Sequence, residues 1–143
     1  KRNKMNTNKI LLGGLAGGVA FFLLGFLFYG ILLMKFFEAN SGSATGVMKD
    51  PPVWWALILG NIFWGLLLAV IFGRWASIST FAGGARAGAI IGLLASLSFD
   101  LTMFGTANLS TLPAAGVDVV VATIMSAIAG GVVGLVLGSG KSS

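Results

Sequence analysis

The sequence contains no cysteine and no histidine, and only 9% of its 143 residues are charged. Without cysteine and histidine the chain can form no disulfide bond and has no thiolate metal ligand, cysteine nucleophile or imidazole general base. Carboxylates, hydroxyls and amines remain, and most of them stand near the ends of apolar segments. We therefore predict a non-enzymatic protein with no catalytic residues, no metal site and no cofactor.

Apolar residues dominate the sequence instead. They make up 57% of the chain, and the mean hydropathy is +0.98, whereas a soluble domain has about 25% charged residues. Four apolar segments, at residues 10–37, 53–73, 81–104 and 113–137, are each long enough, at about 1.5 Å per residue, to cross a hydrocarbon layer of ~30 Å. We predict an all-α fold: one integral membrane domain, residues 1–143, in which four glycine-rich helices form a tightly packed bundle.

The first segment has two interpretations. It is much longer than the roughly 7–15 residues of a signal-peptide core, which favours a retained membrane helix. The small residues at positions 39–44 are also compatible with a cleaved signal peptide. The retained helix is the interpretation that the segment length favours, and the cleaved signal is the alternative.

Charged residues are sorted between the two ends of the helices. With four crossings, seven basic residues and no acid share one side of the membrane: Lys1, Arg2, Lys4, Lys9, Arg74, Arg86 and Lys141. The other side receives all four acids and two lysines: Glu38, Asp50, Asp100, Asp118, Lys35 and Lys49. Since an excess of Lys and Arg marks the cytoplasmic side, we predict that both termini are cytoplasmic in a multi-pass protein of the bacterial inner membrane.

Tryptophan and arginine mark the predicted interfaces with water. Trp54 and Trp55 begin the second segment and Trp75 follows its end, where indole prefers the headgroup layer. Arg74 and Arg86 lie at the basic side, where we expect them to reach lipid phosphates. These five residues are the predicted interface anchors.

Small residues recur at every fourth position in the last two segments. The third segment carries Gly84, Gly88, Gly92 and Ser96, and the fourth carries Ser126, Gly130, Gly134 and Gly138. In lipid such faces let two backbones approach closely and cross at about −40°. We predict a tight helix pair; the short connection favours a pair within one chain, and a pair between chains is the alternative.

Polar residues inside the apolar segments are the candidate functional site. Asp100 in the third segment would cost about 2.5–3.5 kcal/mol at mid-membrane, less near the interface. It is either a proton or cation site, a polar lock between helices, or a residue close enough to the surface to reach water. Asn61 lies at a similar depth, so we hypothesise an Asn61–Asp100 hydrogen bond, with Tyr29 and Lys35 as other candidate partners. Asp118, near the start of the fourth helix, is predicted to have a structural role because the helix dipole favours an anion there.

One stretch suggests a family. The sequence GFLFYG at residues 25–30, followed by KFF at residues 35–37, resembles a motif in a family of small four-helix bacterial membrane proteins of unknown function. The glycine-rich AGGARAG at residues 82–88 fits the third helix of that family. This chain departs from the family by a longer and more polar first outer loop. The resemblance implies the four-helix architecture and carries over no site.

Two functions follow from these features. The first is a packing or assembly unit of a homo-oligomer, or a subunit of a larger membrane complex, because the small-residue faces suit helix association. The alternative is a small transporter or channel that uses Asp100 and Asn61 as its intramembrane polar site. The expected partners are the lipid bilayer and other membrane subunits or further copies of the chain. Nucleic acid is not expected, because the basic residues form no patch interleaved with aromatics.

Overall fold

The structure, a computed structural model, describes residues 6–140, and this part of the chain is all-α with no β-strand. The helices are α1 (Thr7–Leu32), α2 (Met34–Ala39), α3 (Trp54–Ala76), α4 (Phe81–Thr106) and α5 (Leu112–Gly138). All except α2 are long and apolar enough to cross a membrane. Four basic residues used in the topology prediction lie outside the described residues: Lys1, Arg2, Lys4 and Lys141.

Polar side chains begin three of the four long helices. The side-chain oxygens of Asn6, Thr80 and Thr111 accept hydrogen bonds from the backbone N–H three residues further on, at 2.8, 3.0 and 3.3 Å. These caps satisfy N–H groups that have no partner in the first helical turn. As a result α1 begins three residues before the apolar segment at residue 10, and α5 begins at Leu112.

The end of the first apolar segment is not one regular helix. After Gly25 the chain forms π-helical turns over Phe26–Leu32, and the backbone at Leu33 leaves the helix (φ −114°, ψ 9°) before α2 starts. Residues 10–37, predicted as a single helix, therefore belong to two. Hydropathy does not reveal this break, because the residues directly around it, 31–34, are all apolar.

The second span also ends in π-helical turns. Ile71–Ala76 widens the last part of α3, and Ser77 adopts a left-handed conformation (φ 53°) that turns the chain towards α4. The helix thus extends to Ala76, three residues beyond the predicted end at residue 73. Arg74 is consequently part of α3 rather than of the turn that follows it.

The four long helices pack in the order α4–α5–α1–α3. The helices α3 and α4 share no extensive contact with each other, and α3 also touches α5. The connections near residues 40–44 and 107–111 are joined by hydrogen bonds from Ala44 N–H to the Asn108 carbonyl (2.9 Å) and from Thr111 N–H to the Asn40 carbonyl (3.0 Å). These two hydrogen bonds join the α2–α3 and α4–α5 connections at one end of the bundle.

The small residues of α4 and α5 face each other within one chain. A Cβ atom added at Gly84 would collide with the carbonyl oxygen of Gly130, and one added at Gly88 would collide with the carbonyl oxygen of Ser126. The backbones thus meet directly, as small residues allow in lipid. Ser96, the last residue of the predicted α4 face, turns its hydroxyl back to the Gly92 carbonyl at 2.6 Å.

A second glycine contact joins α1 to its neighbours. A Cβ atom at Gly65 of α3 would collide with the backbone of Gly14 and Gly18, and one at Gly17 would collide with Val133 of α5. The glycine-rich start of α1 is therefore held between α3 and α5. Its large apolar side chains, such as Leu11, Leu15 and Leu23, point outwards.

The two ends of the bundle differ in packing. We call the end near Lys9 and Arg74 the basic end, and the end near Glu38 and Asp50 the acidic end. The most enclosed side chains of the apolar core, Leu68, Phe72, Val133 and Leu137, lie in the half nearer the basic end, and other core residues, such as Phe21 and Val121, continue it into the other half. The other half holds the polar residues and is the more open one, so the candidate site lies there.

Candidate functional site

A cavity of about 440 Å³ lies in the acidic-end half of the bundle and is lined by all four long helices. Residues of α3 and α4 form two of its walls, although these two helices share no extensive contact. Its polar lining consists of five side chains and its aromatic lining of four: Asn61, Ser96, Asp100, Asp118 and Ser126, and Phe21, Tyr29, Trp64 and Phe99. We refer to this space as the acidic cavity.

Tyr29 and Asp118 link α1 to α5 across the acidic cavity. The Tyr29 hydroxyl donates a hydrogen bond of 2.6 Å to Asp118 Oδ1. Tyr29 belongs to the π-helical turns of α1, which are found frequently at functional sites because they change the direction of one side chain without ending the helix. Asp118, predicted to have a structural role near the start of the fourth helix, is also part of the cavity lining.

Asp100 stands beside Asp118 in the same cavity. Both carboxyl groups belong to the lining of this cavity. Oδ2 of Asp100 is buried and has no hydrogen-bond partner among residues 6–140. Two carboxylates in an apolar setting repel each other, and a proton or a cation held between them offsets this repulsion. None of the residues that line the cavity is Lys or Arg, so the described part of the lining supplies no positive charge.

Asn61 lies in the cavity wall, but the hypothesised Asn61–Asp100 hydrogen bond is wrong. The Asn61 amide donates instead to the Leu57 carbonyl of its own helix at 2.7 Å. The depth argument places both residues correctly at the same cavity, yet depth along a helix does not fix the direction in which a side chain points. Lys35, the other candidate partner, is exposed on α2 beyond the break at Leu33.

The predicted interface anchors lie at or near the helix ends, and all except the partly buried Arg74 are exposed. Trp54, Trp55 and Trp75 are 49%, 68% and 71% exposed. Arg74 donates a hydrogen bond of 3.1 Å to the Thr7 hydroxyl, and Arg86 is exposed on α4. These positions are compatible with contact to lipid headgroups and place none of the five residues in the acidic cavity.

Sequence reasoning did not place Asp118 in the same site as Asp100, although a signal for this was present. Asp100 lies six residues before the end of α4 and Asp118 lies six residues after the start of α5. At about 1.5 Å per residue, both are roughly 9 Å from the acidic end. Two acids at equal depth on paired helices predict a shared site. Trp64 and Phe21 are apolar residues in apolar helices and give no such signal.

Comparison with protein-family models, curated proteins and solved structures finds no match for this chain. The resemblance of residues 25–37 to a family of small membrane proteins therefore stays a prediction.

Proposed function

We propose that this chain is a non-enzymatic, multi-pass membrane protein that binds a cation in the acidic cavity, as a small transporter does. The observation that carries the proposal is the buried Oδ2 of Asp100, which has no hydrogen-bond partner among residues 6–140, in a cavity that Asp118 also lines. Acids inside membrane helices are costly and commonly mark ion or substrate sites. A cation between the two carboxyl groups supplies the missing interaction.

The packing supports a binding site over an open pore. The half near the basic end is filled by side chains with no exposed surface, among them Leu68, Phe72 and Leu137. Within residues 6–140 this packed core therefore lies between the acidic cavity and the basic end. Transport by this protein requires a change in helix packing that opens the basic end.

Carbodiimide labelling tests the cation site. A hydrophobic carbodiimide attacks carboxyl groups in apolar surroundings, and mass spectrometry locates the product on Asp100 or Asp118. We expect labelling of the purified full chain in detergent, and we expect bound cations to slow it. Asp50, exposed in a loop, is the internal control, because its labelling should not respond to cations. Labelling of Asp100 that no cation slows would contradict the proposal.

A second candidate function, as a subunit of a membrane assembly, is favoured by α4. The buried residues of this helix are three glycines, Gly84, Gly88 and Gly92, so most of its surface is left to lipid or to another chain. Native mass spectrometry after gentle extraction tests this role. An assembly subunit should carry further copies or other chains, whereas a monomer in several mild detergents would contradict it.

A further inference from the structure

A second cavity adjoins the acidic cavity. It has a volume of about 570 Å³ and shares the residues Tyr29, Asn61 and Met125 with the acidic cavity. Its other walls are apolar or aromatic: Phe22, Phe26, Trp54, Leu57 and Pro52, with Gly25 and Gly30. We refer to it as the aromatic cavity. Each cavity has the size of a small-molecule site, for which about 300–1,000 Å³ is usual.

The geometry of α1 and α3 explains why this space exists. The two helices touch closely at Gly14, Gly18 and Gly65, which lie towards the basic end. Nearer the acidic end α1 changes to π-helical turns. A Cβ atom added at Gly25 would meet only the end of the Met125 side chain, at 3.6 Å, and one at Gly60 would meet nothing. These two glycines are therefore not needed for close packing, and Gly25 leaves room in the cavity wall.

The chemistry of the two cavities points to one class of ligand. Two carboxyl groups without a basic partner favour a positive charge, and aromatic faces attract cations as well as apolar groups. The lining does not favour Ca²⁺, which takes about six to eight oxygen ligands, because residues 6–140 contain no cluster of three or more acidic residues that could hold it. A small hydrated ion would leave the aromatic cavity unused.

We propose that the ligand is a lipophilic organic cation, whose positive group lies between Asp100 and Asp118 and whose apolar part fills the aromatic cavity. This inference rests on the proposed cation site and names its ligand class. Since α3 and α4 both line the acidic cavity without extensive contact between them, a molecule of this class would enter the site from the bilayer between these two helices. The apolar part of such a molecule leaves water when the molecule partitions into the membrane, so binding from the bilayer does not include that step.

Binding of tetraphenylphosphonium to the purified full chain tests the inference. We expect this cation to bind the unmodified chain and to slow carbodiimide labelling of Asp100. We expect at least tenfold weaker binding to Asp100→Asn, which removes the charge, and to Gly25→Leu, which fills the aromatic cavity without touching either carboxyl group. Asp50→Asn is the matched control and should bind like the unmodified chain. Size-exclusion chromatography checks that each variant is folded, and Phe26→Ala replaces Gly25→Leu if the latter aggregates.

The outcomes separate the ligand class from the cation site. If Na⁺ or K⁺ slows labelling of Asp100 while tetraphenylphosphonium neither binds nor slows it, the cation site stands and the lipophilic ligand is wrong. If tetraphenylphosphonium binds the unmodified chain and all variants equally, it dissolves in the detergent or on the surface and the inference is again wrong. If no cation slows the labelling, both the inference and the proposed function are wrong.

Discussion

At the scale of single residues, the Tyr29–Asp118 hydrogen bond is the clearest polar link between two helices. Its length of 2.6 Å and its partly buried position make it an interaction that water does not readily replace. A buried acceptor that loses its donor keeps its full desolvation cost. Tyr29 thus links α1 to α5 at the acidic cavity, outside the most enclosed part of the apolar core.

Removing the Tyr29 hydroxyl tests this link. We expect Tyr29→Phe to lower the free energy of unfolding by about 1–3 kcal/mol, because Asp118 Oδ1 is left without its donor. Unfolding in mixed micelles of increasing denaturing detergent measures the change. The variant Asn61→Leu is the comparison: its amide bonds only within its own helix, so the loss should be smaller. Equal losses of unfolding free energy in the two variants would show that the Tyr29–Asp118 hydrogen bond does not stabilise the fold more than the Asn61 amide does.

Substitution of Asp100 is expected to have the opposite effect on stability. Its Oδ2 is buried without a partner, so Asp100→Leu should raise the free energy of unfolding by about 1–3 kcal/mol while cation protection of the site is lost. Residues that serve a function often lower the stability of the folded protein, and we expect this of Asp100. The same unfolding assay measures the effect, with Asp50→Leu in the exposed loop as control. A less stable Asp100→Leu chain would identify Asp100 as a structural residue.

At the scale of helices, two kinds of glycine occur in similar helical settings. Gly88 of α4 lies against the backbone of α5, where a Cβ atom would collide with the Ser126 carbonyl oxygen. Gly60 of α3 has nothing within 4 Å of an added Cβ atom. The spacing of glycines in the sequence marks faces for close packing, and the structure shows which of them are in contact.

The pair Gly88→Ala and Gly60→Ala separates packing from helix propensity. Alanine favours a helix over glycine by up to about 1 kcal/mol, so Gly60→Ala should leave stability unchanged or raise it. Gly88→Ala should lower stability by about 1–3 kcal/mol, because the extra methyl pushes α4 away from α5. Thermal unfolding followed by circular dichroism measures both. Similar effects of the two substitutions would mean that α4 and α5 are not in backbone contact.

At the scale of the whole molecule, charge and packing divide the bundle in the same direction. The half near the basic end is closed by the apolar core, and the half near the acidic end holds both cavities. The sequence places seven basic residues at one end and a net negative charge at the other. With the basic end in the cytoplasm, the cavities lie in the outer half of the membrane.

The absence of native cysteine makes this topology simple to test. Single-cysteine variants at Ser43, near the acidic end, and at Ser139, near the basic end, carry one reactive thiol each. We expect a membrane-impermeant maleimide added to intact cells to label Ser43→Cys but not Ser139→Cys, and to label both after lysis. Labelling of Ser139→Cys in intact cells would reverse the proposed orientation and move the cavities to the cytoplasmic half.

The number of long apolar helices and the small-residue faces follow from the sequence alone, because hydropathy and a four-residue repeat are properties of one helix at a time. Residues 81–104 became α4 almost unchanged, and the acids at equal depth on α4 and α5 were visible. Three features could not be predicted from the sequence: the order of the helices, the π-helical turns that carry Tyr29, and the gap between α3 and α4. They depend on how far each helix is rotated and tilted against the next, which is set by contacts between distant segments. The acidic and aromatic cavities are products of that arrangement.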